Sequence, residues 1–210
     1  MKIALYGATG NIGSRILREA IQRGHSVTAI VRNPEKIKVS KNLTIIQGDI
    51  LNQDDVAKNV KGSDVVICAY GPGNGKVNLV MESTQALLSG LKKAGSKRII
   101  IVGGAGSLYI NETTQLIDTP EFPVAWKGIA NAHREVLKVF LKEKELEWSY
   151  ASPAGLIEPG ERTGKFRWGT NHLVIDTAGN SKISMEDFAV ALVDESENPK
   201  HIRKRFTVAY

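Results

Sequence analysis

Apolar positions in this chain fall into short, nearly unbroken runs separated by stretches with a helical stripe. The runs are Lys2–Gly7, Ser26–Arg32, Leu43–Asp49, Asp64–Tyr70, Arg98–Gly104, Trp148–Ala154 and Arg205–Tyr210, and one of them reads Arg98-Ile-Ile-Ile-Val-Gly103. Strands this uniformly apolar are covered on both faces, as in a parallel sheet flanked by helices. Between the runs the spacing lengthens. Ile12, Ile16, Leu17, Ala20 and Ile21 share one helical face from Asn11 until Gly24. Val80, Met81, Thr84, Leu87, Leu88 and Leu91 do the same between Val77 and Ala94, with Gly95 as the stop. A longer helix is predicted from Val124 to Glu145. Strands alternating with helices in this way predict right-handed βαβ units and a doubly wound, mostly parallel α/β sheet, here as one domain over residues 1–210.

The rhythm fails between residues 156 and 184, most plainly from Pro159 onward, where Gly160, Gly164, Gly169 and Gly179 interrupt short alternating segments. Lys165–Trp168 and His172–Asp176 predict a loop with a small hairpin, set on the substrate side of the sheet. Ser184-Met-Glu-Asp187 then has the spacing of a capping box opening a short final helix.

Chemistry enters directly after the first strand. Gly7-Ala-Thr-Gly-Asn-Ile-Gly13 joins that strand to the first helix. Gly7 permits the tight turn, Gly10 lets the backbone approach a pyrophosphate, and Gly13 lets helix and strand pack closely. The N–H groups of the first helical turn, near Asn11, Ile12 and Gly13, and the helix dipole then favour phosphate, with Thr9 and Asn11 adding side-chain hydrogen bonds. This is the Rossmann-type pattern for a dinucleotide. An acid at the end of the second strand would select NAD(H). The chain has Val31-Arg32-Asn33-Pro34 there, and an arginine pairs with a 2′-phosphate, so NADP(H) is expected over NAD(H); the competing reading is a solvated surface arginine. Asp49 and Ile50 end the third strand beside the expected adenine. Ala69, Tyr70 and Gly71 end the fourth beside its ribose. Cys68 is read as a packed strand residue.

Composition narrows the classes. Of 210 residues, 42% are hydrophobic and 24% charged, as in an ordinary soluble domain. The single cysteine excludes an internal disulfide and a multi-cysteine metal site, so a reducing, cytoplasmic setting is expected, with no metal. No apolar stretch is long enough for a membrane span, and a strand pattern at the N-terminus argues against a signal peptide. The net charge of +6 is dispersed, with one tight run at Arg203-Lys204-Arg205. That suits an anionic cofactor better than nucleic acid, which is not an expected partner. Oligomeric state is not legible in the pattern.

The glycine loop, Val31-Arg32, Gly48-Asp49, Gly103-Gly-Ala-Gly-Ser107 and Ser152-Pro153 together resemble the atypical short-chain dehydrogenase/reductases. Within these the resemblance is to the NAD(P)H-binding group of flavin reductases and biliverdin-IXβ reductases and to bacterial NADH-flavin reductase-like proteins. Glu161-Arg-Thr-Gly164, Ile183-Ser-Met-Glu-Asp187 and Arg205-Phe-Thr-Val-Ala-Tyr210 are similar to the bacterial branch. The resemblance spans the whole chain and implies the fold and cofactor derived above. Its C-terminal motifs mark a subfamily rather than a reaction.

Ordinary short-chain reductases use Tyr-x-x-x-Lys as proton donor. None of Tyr6, Tyr70, Tyr109, Tyr150 and Tyr210 is followed by lysine four residues later. Reducing a simple carbonyl builds an alkoxide that needs such a donor. A flavin or quinone spreads the incoming charge and needs it less. An NADPH-dependent reductase of a flavin, quinone or similar small conjugated acceptor is therefore expected, FMN included. The alternatives are a non-catalytic NADP(H)-binding redox sensor and a nucleotide-sugar epimerase or dehydratase, the last weakened by the missing tyrosine. Ser107, Lys127 and His133 are the catalytic candidates; a local loop serine, a solvated lysine and a core histidine are their bland readings. Pro153 is expected to wall the nicotinamide. Arg162, Lys165 and Arg167 are candidates to clamp an anionic acceptor, and Trp168 to stack on its ring.

Overall fold

A computed structural model describes residues 1–73 and 76–210. Its strands are β1 (Lys2–Tyr6), β2 (Ser26–Val31), β3 (Leu43–Gln47), β4 (Val65–Cys68), β5 (Arg98–Val102), β6 (Glu147–Ser152), β7 (Leu156–Glu158), β8 (Arg167–Gly169), β9 (Lys182–Ser184) and β10 (Lys204–Ala209). The helices are α1 (Asn11–Gln22), α2 (Gln53–Val60), α3 (Asn78–Ala94), α4 (Val124–Lys142) and α5 (Met185–Glu197).

The main sheet runs β3-β2-β1-β4-β5-β6-β10-β8, and every neighbouring pair is parallel except β10 with β8. The apolar runs form its centre because both faces are covered. Ile3, Leu5, Ile67, Ile100 and Phe206 pack on one face with Ile16 and Ala20 of α1 and Phe188 and Leu192 of α5. Ala4, Tyr6, Val66, Ile99 and Ile101 pack on the other with Val56 of α2, Leu87 of α3 and Phe140 of α4. The expected doubly wound, mostly parallel α/β architecture is present. Strand order reverses between β1 and β4, and such a switch point opens a crevice at the carboxyl ends of the strands.

Three features depart from expectation. The eight-residue helix α2 carries few apolar positions; it is set by Asn52, whose side chain accepts from the N–H groups of Asp54 and Asp55. The final helix is not short: α5 has 13 residues, and Ser184 caps it by accepting from the Asp187 N–H at 2.9 Å. Residues 156–184 form no hairpin among themselves. β7 pairs β9 in parallel, while β8 leaves the segment to extend the main sheet antiparallel to β10. Of the two alternating segments, Lys165–Trp168 overlaps β8, whereas His172–Asp176 forms no strand beyond a bridge from His172 to Tyr109, and β7 and β9 lie outside both.

Candidate functional site

The loop after β1 is shaped by close approach. Gly7 has φ of +81°, a left-handed conformation that disfavours a side chain, and a Cβ on it would overlap the Ala69 carbonyl. A Cβ on Gly13 would overlap the Gly7 carbonyl, so α1 packs directly on the loop. Gly10 caps α1 with no side-chain hydrogen bond, and the first turn contains no acid. The N–H groups around Asn11, Ile12 and Gly13 thus form a positive helix end with no carboxylate of the turn to neutralise it.

Beside the loop lies a cleft of about 290 Å³ across the ends of β1–β4. Of the residues expected to bind the cofactor, Gly7, Thr9, Gly10, Arg32, Asp49, Ile50, Ala69, Tyr70 and Gly71 all line it. Lys36, unmarked in the sequence reading, lines it too. The hydroxyl of Tyr6 is buried at this wall without a hydrogen-bond partner, and burial raises its pKa far above the usual phenol value. Asp49 is partly committed to the protein, accepting from the Leu51 N–H at 3.0 Å. Cys68 is buried, and burial pushes its thiol up to about 11, which leaves no reactive thiolate there. A glycine cradle, an uncapped helix end, a cationic rim and an orphaned hydroxyl fit a phosphorylated dinucleotide.

A second cleft, of about 940 Å³, opens at the ends of β5 and β6. Its floor is Gly104–Gly106 and Pro153–Ala154. Its apolar walls come from Phe122, Trp126 and Ile129 on one side and Leu156, Leu173 and Ile175 on the other. His133 on α4 faces this cleft, and Gly104 gives it room, since a Cβ there would stand 3.2 Å from the His133 Cβ. The imidazole Nδ1 is buried without a partner, and burial pushes the ring down to about 4. His133 is therefore neutral near pH 7, with hydrogen-bonding capacity unused by the protein. Tyr210 also lines the cleft, but its hydroxyl donates to Asp187 Oδ2 at 2.9 Å and accepts from the Ser184 N–H at 3.2 Å. Tyr150 donates to the His133 carbonyl at 2.8 Å.

Pro153 lines this cleft, and six other candidates lie outside its lining. Ser107 is buried, and its hydroxyl and carbonyl accept from the Arg205 guanidinium at 3.0 and 2.9 Å, so it supports the floor from behind. Lys127 is exposed and outside the cleft lining, because the helical turn carries it away from the His133 face. Arg162 grips Glu19 of α1 through two hydrogen bonds of 2.7 Å. Its neighbours are pinned likewise: the Gly160 N–H donates to Glu186 at 2.8 Å, Arg15 of α1 donates to the same carboxylate at 2.5 Å, and the Thr163 and Gly164 N–H groups donate to Asp187. Lys165 is exposed and outside both clefts. Arg167 donates to the carbonyls of Ile175 and Tyr210. Trp168 stacks on His201 with centroids 5.4 Å apart and packs on Phe206. Arg167 and Trp168 share a reason: they lie on β8, an edge strand paired with β10, and their side chains are spent on neighbours at that edge.

Residues 7–199 match a family described as NAD(P)H-binding. The chain is 41% identical over 99% of its length to uncharacterized protein YwnB of Bacillus subtilis, covering 98% of that protein. Among solved structures, a provisionally named epimerase of Bacteroides thetaiotaomicron superposes with a TM-score of 0.94 at 43% identity, covering all of this chain and 96% of that one. A provisionally named NADH-flavin reductase of Streptococcus pneumoniae superposes with a TM-score of 0.88 at 37% identity, covering 100% and 99% respectively. No helix among the described residues is long and apolar enough to cross a membrane.

Proposed function

The chain belongs to the NAD(P)H-binding family, and from that premise we propose that it is an NADPH-dependent reductase of a small conjugated acceptor such as a flavin or quinone. One observation carries the reading. The large cleft at the nicotinamide end of the crevice is apolar, and its neutral histidine has a buried nitrogen without a partner. When bound, NADPH supplies a hydride from its nicotinamide ring. The chain's part is positioning. The glycine loop and α1 hold the pyrophosphate, and Arg32 with Lys36 holds the 2′-phosphate. Gly104–Gly106 and Pro153 form the floor on which the reacting rings meet. Phe122 and Trp126 exclude water, and His133 hydrogen-bonds the acceptor without needing to change its own charge.

The chemistry suits these residues. A delocalised acceptor takes a hydride without demanding a strong acid at one atom, and both tyrosine hydroxyls nearest this region are already engaged. The provisional name of the Streptococcus pneumoniae relative points the same way. The test is NADPH oxidation by the purified protein with riboflavin, FMN and a set of quinones. Turnover of at least one is expected; none with any acceptor, while NADPH binds, would sink the proposal.

A further inference from the structure

We infer that the acceptor is uncharged where it enters the 940 Å³ cleft, so that the protein discriminates against phosphorylated or sulfonated forms of the same ring system. The inference rests on the reductase reading and narrows its substrate class. It comes from the charges at the cleft. Among the described lining residues, Glu121 and Asp176 are the carboxylates and Lys182 is the one ammonium group. Lys182 is already paired, its Nζ standing 2.5 Å from Glu158 Oε1. His133 contributes no positive charge near neutral pH. The cleft therefore presents net negative charge over apolar walls.

The other cations are engaged or lie outside. Arg162 is held by Glu19 and Lys165 is outside the lining, while Arg167 borders the cleft with its guanidinium spent on the carbonyls of Ile175 and Tyr210, two lining residues. A phosphate brought here would lose water and meet no cation that is not already engaged, while two carboxylates repel it. A neutral ring loses nothing of the kind. It is received by Trp126 and Phe122, with the neutral His133 ring in the same lining. Arg32 and Lys36 sit at the other cleft, so the molecule sorts its two ligands by charge.

Riboflavin and FMN differ only by a phosphate and make the probe. Quenching of flavin fluorescence by protein saturated with NADP+ should show riboflavin binding at least tenfold tighter than FMN. The neutral 1,2-naphthoquinone should likewise exceed its 4-sulfonate in kcat/KM. In the double variant Glu121→Lys, Asp176→Asn the riboflavin-to-FMN affinity ratio should fall at least fivefold. The asparagine retains an oxygen for the Ala178 and Asn180 N–H groups that Asp176 now accepts. FMN binding as tightly as riboflavin, a ratio unmoved in the double variant, or no binding of either flavin or quinone would overturn the inference. Tenfold discrimination in binding without NADPH oxidation would support the charge assignment and overturn the reductase reading instead.

Discussion

Replacing Arg32 by Asp should exchange the coenzyme preference. Arg32 is exposed at the end of β2 and shares the smaller cleft with Thr9, Lys36 and Asp49. No side-chain hydrogen bond ties it to the protein among the described residues, so its replacement leaves the fold intact. A guanidinium–phosphate pair is a charge-assisted, often bidentate contact contributing about 1.5–3 kcal/mol. Exposure and the neighbouring Lys36 place Arg32 in the lower half of that range. A loss of about 1.5–2 kcal/mol weakens NADPH by roughly 10- to 30-fold. The new carboxylate accepts from a ribose 2′-hydroxyl, a neutral donor, which gives NADH about 1 kcal/mol, or roughly fivefold. The NADPH-to-NADH ratio of Kd values, measured by nicotinamide fluorescence, should therefore move by roughly 50- to 150-fold. The NADPH effect should shrink in about 0.5 M salt, where screening acts within a few ångströms. A ratio that moves less than threefold, or NADH weakened alongside NADPH, would refute the placement of the 2′-phosphate at Arg32.

Gly13→Ala puts a methyl group into the Gly7 carbonyl and should weaken NADPH and NADH alike by tenfold or more, as direct titration would show. His133→Leu should lower kcat by about tenfold or more. Because burial holds this imidazole near 4, the wild-type rate between pH 5 and 8 should carry no histidine titration of its own. The unfolded chain gains that proton near the ordinary value of about 6.5, so stability should fall as pH drops from there toward 4, and His133→Gln should flatten that slope in acid-denaturation curves. Glu195→Ala strands the Arg98 guanidinium, 9% exposed and 3.0 Å from a carboxylate that is fully buried. The expected loss is about 3–5 kcal/mol, a Tm fall of roughly 6–20 °C by calorimetry. Arg162→Ala should leave the acceptor KM within twofold while lowering Tm, since its partner is Glu19; a KM shift of tenfold would restore it as an acceptor clamp.

The glycine loop and the residues gathered at the smaller cleft are legible in the sequence because their signals are local. Gly7, Gly10 and Gly13 answer to one turn and one helix end, and Arg32 needs only its place at the end of a strand. The acceptor half depends on which strands pair, and short alternating stretches say nothing of that. Lys165, Arg167 and Trp168 are expected at the cleft from the place of their irregular segment in the fold, whereas the backbone of residues 167–169 extends the sheet against β10. The walls that do form the cleft, Phe122 and Trp126, follow Pro120 and bracket Pro123. The helix α2 went unmarked because three buried residues in eight make a thin stripe, although Asn52 and two following acids announce its start. His133 was visible on its stripe; its unpartnered nitrogen was not.

The clasp formed by Arg162 on Glu19 and by Gly160 and Arg15 on Glu186 also defines what can be exchanged between relatives. Residues 156–164 begin as a wall of the larger cleft and end fastened to α1, whose N-terminus abuts the glycine loop. A chimaera that imports this segment alone would bring an arginine or an N–H to carboxylates that need not be there. The transferable module is discontinuous, and must carry positions 15, 19, 186 and 187 with it. If the larger cleft receives an acceptor, its preference should diversify fastest at Trp126 and Phe122, which no such clasp constrains.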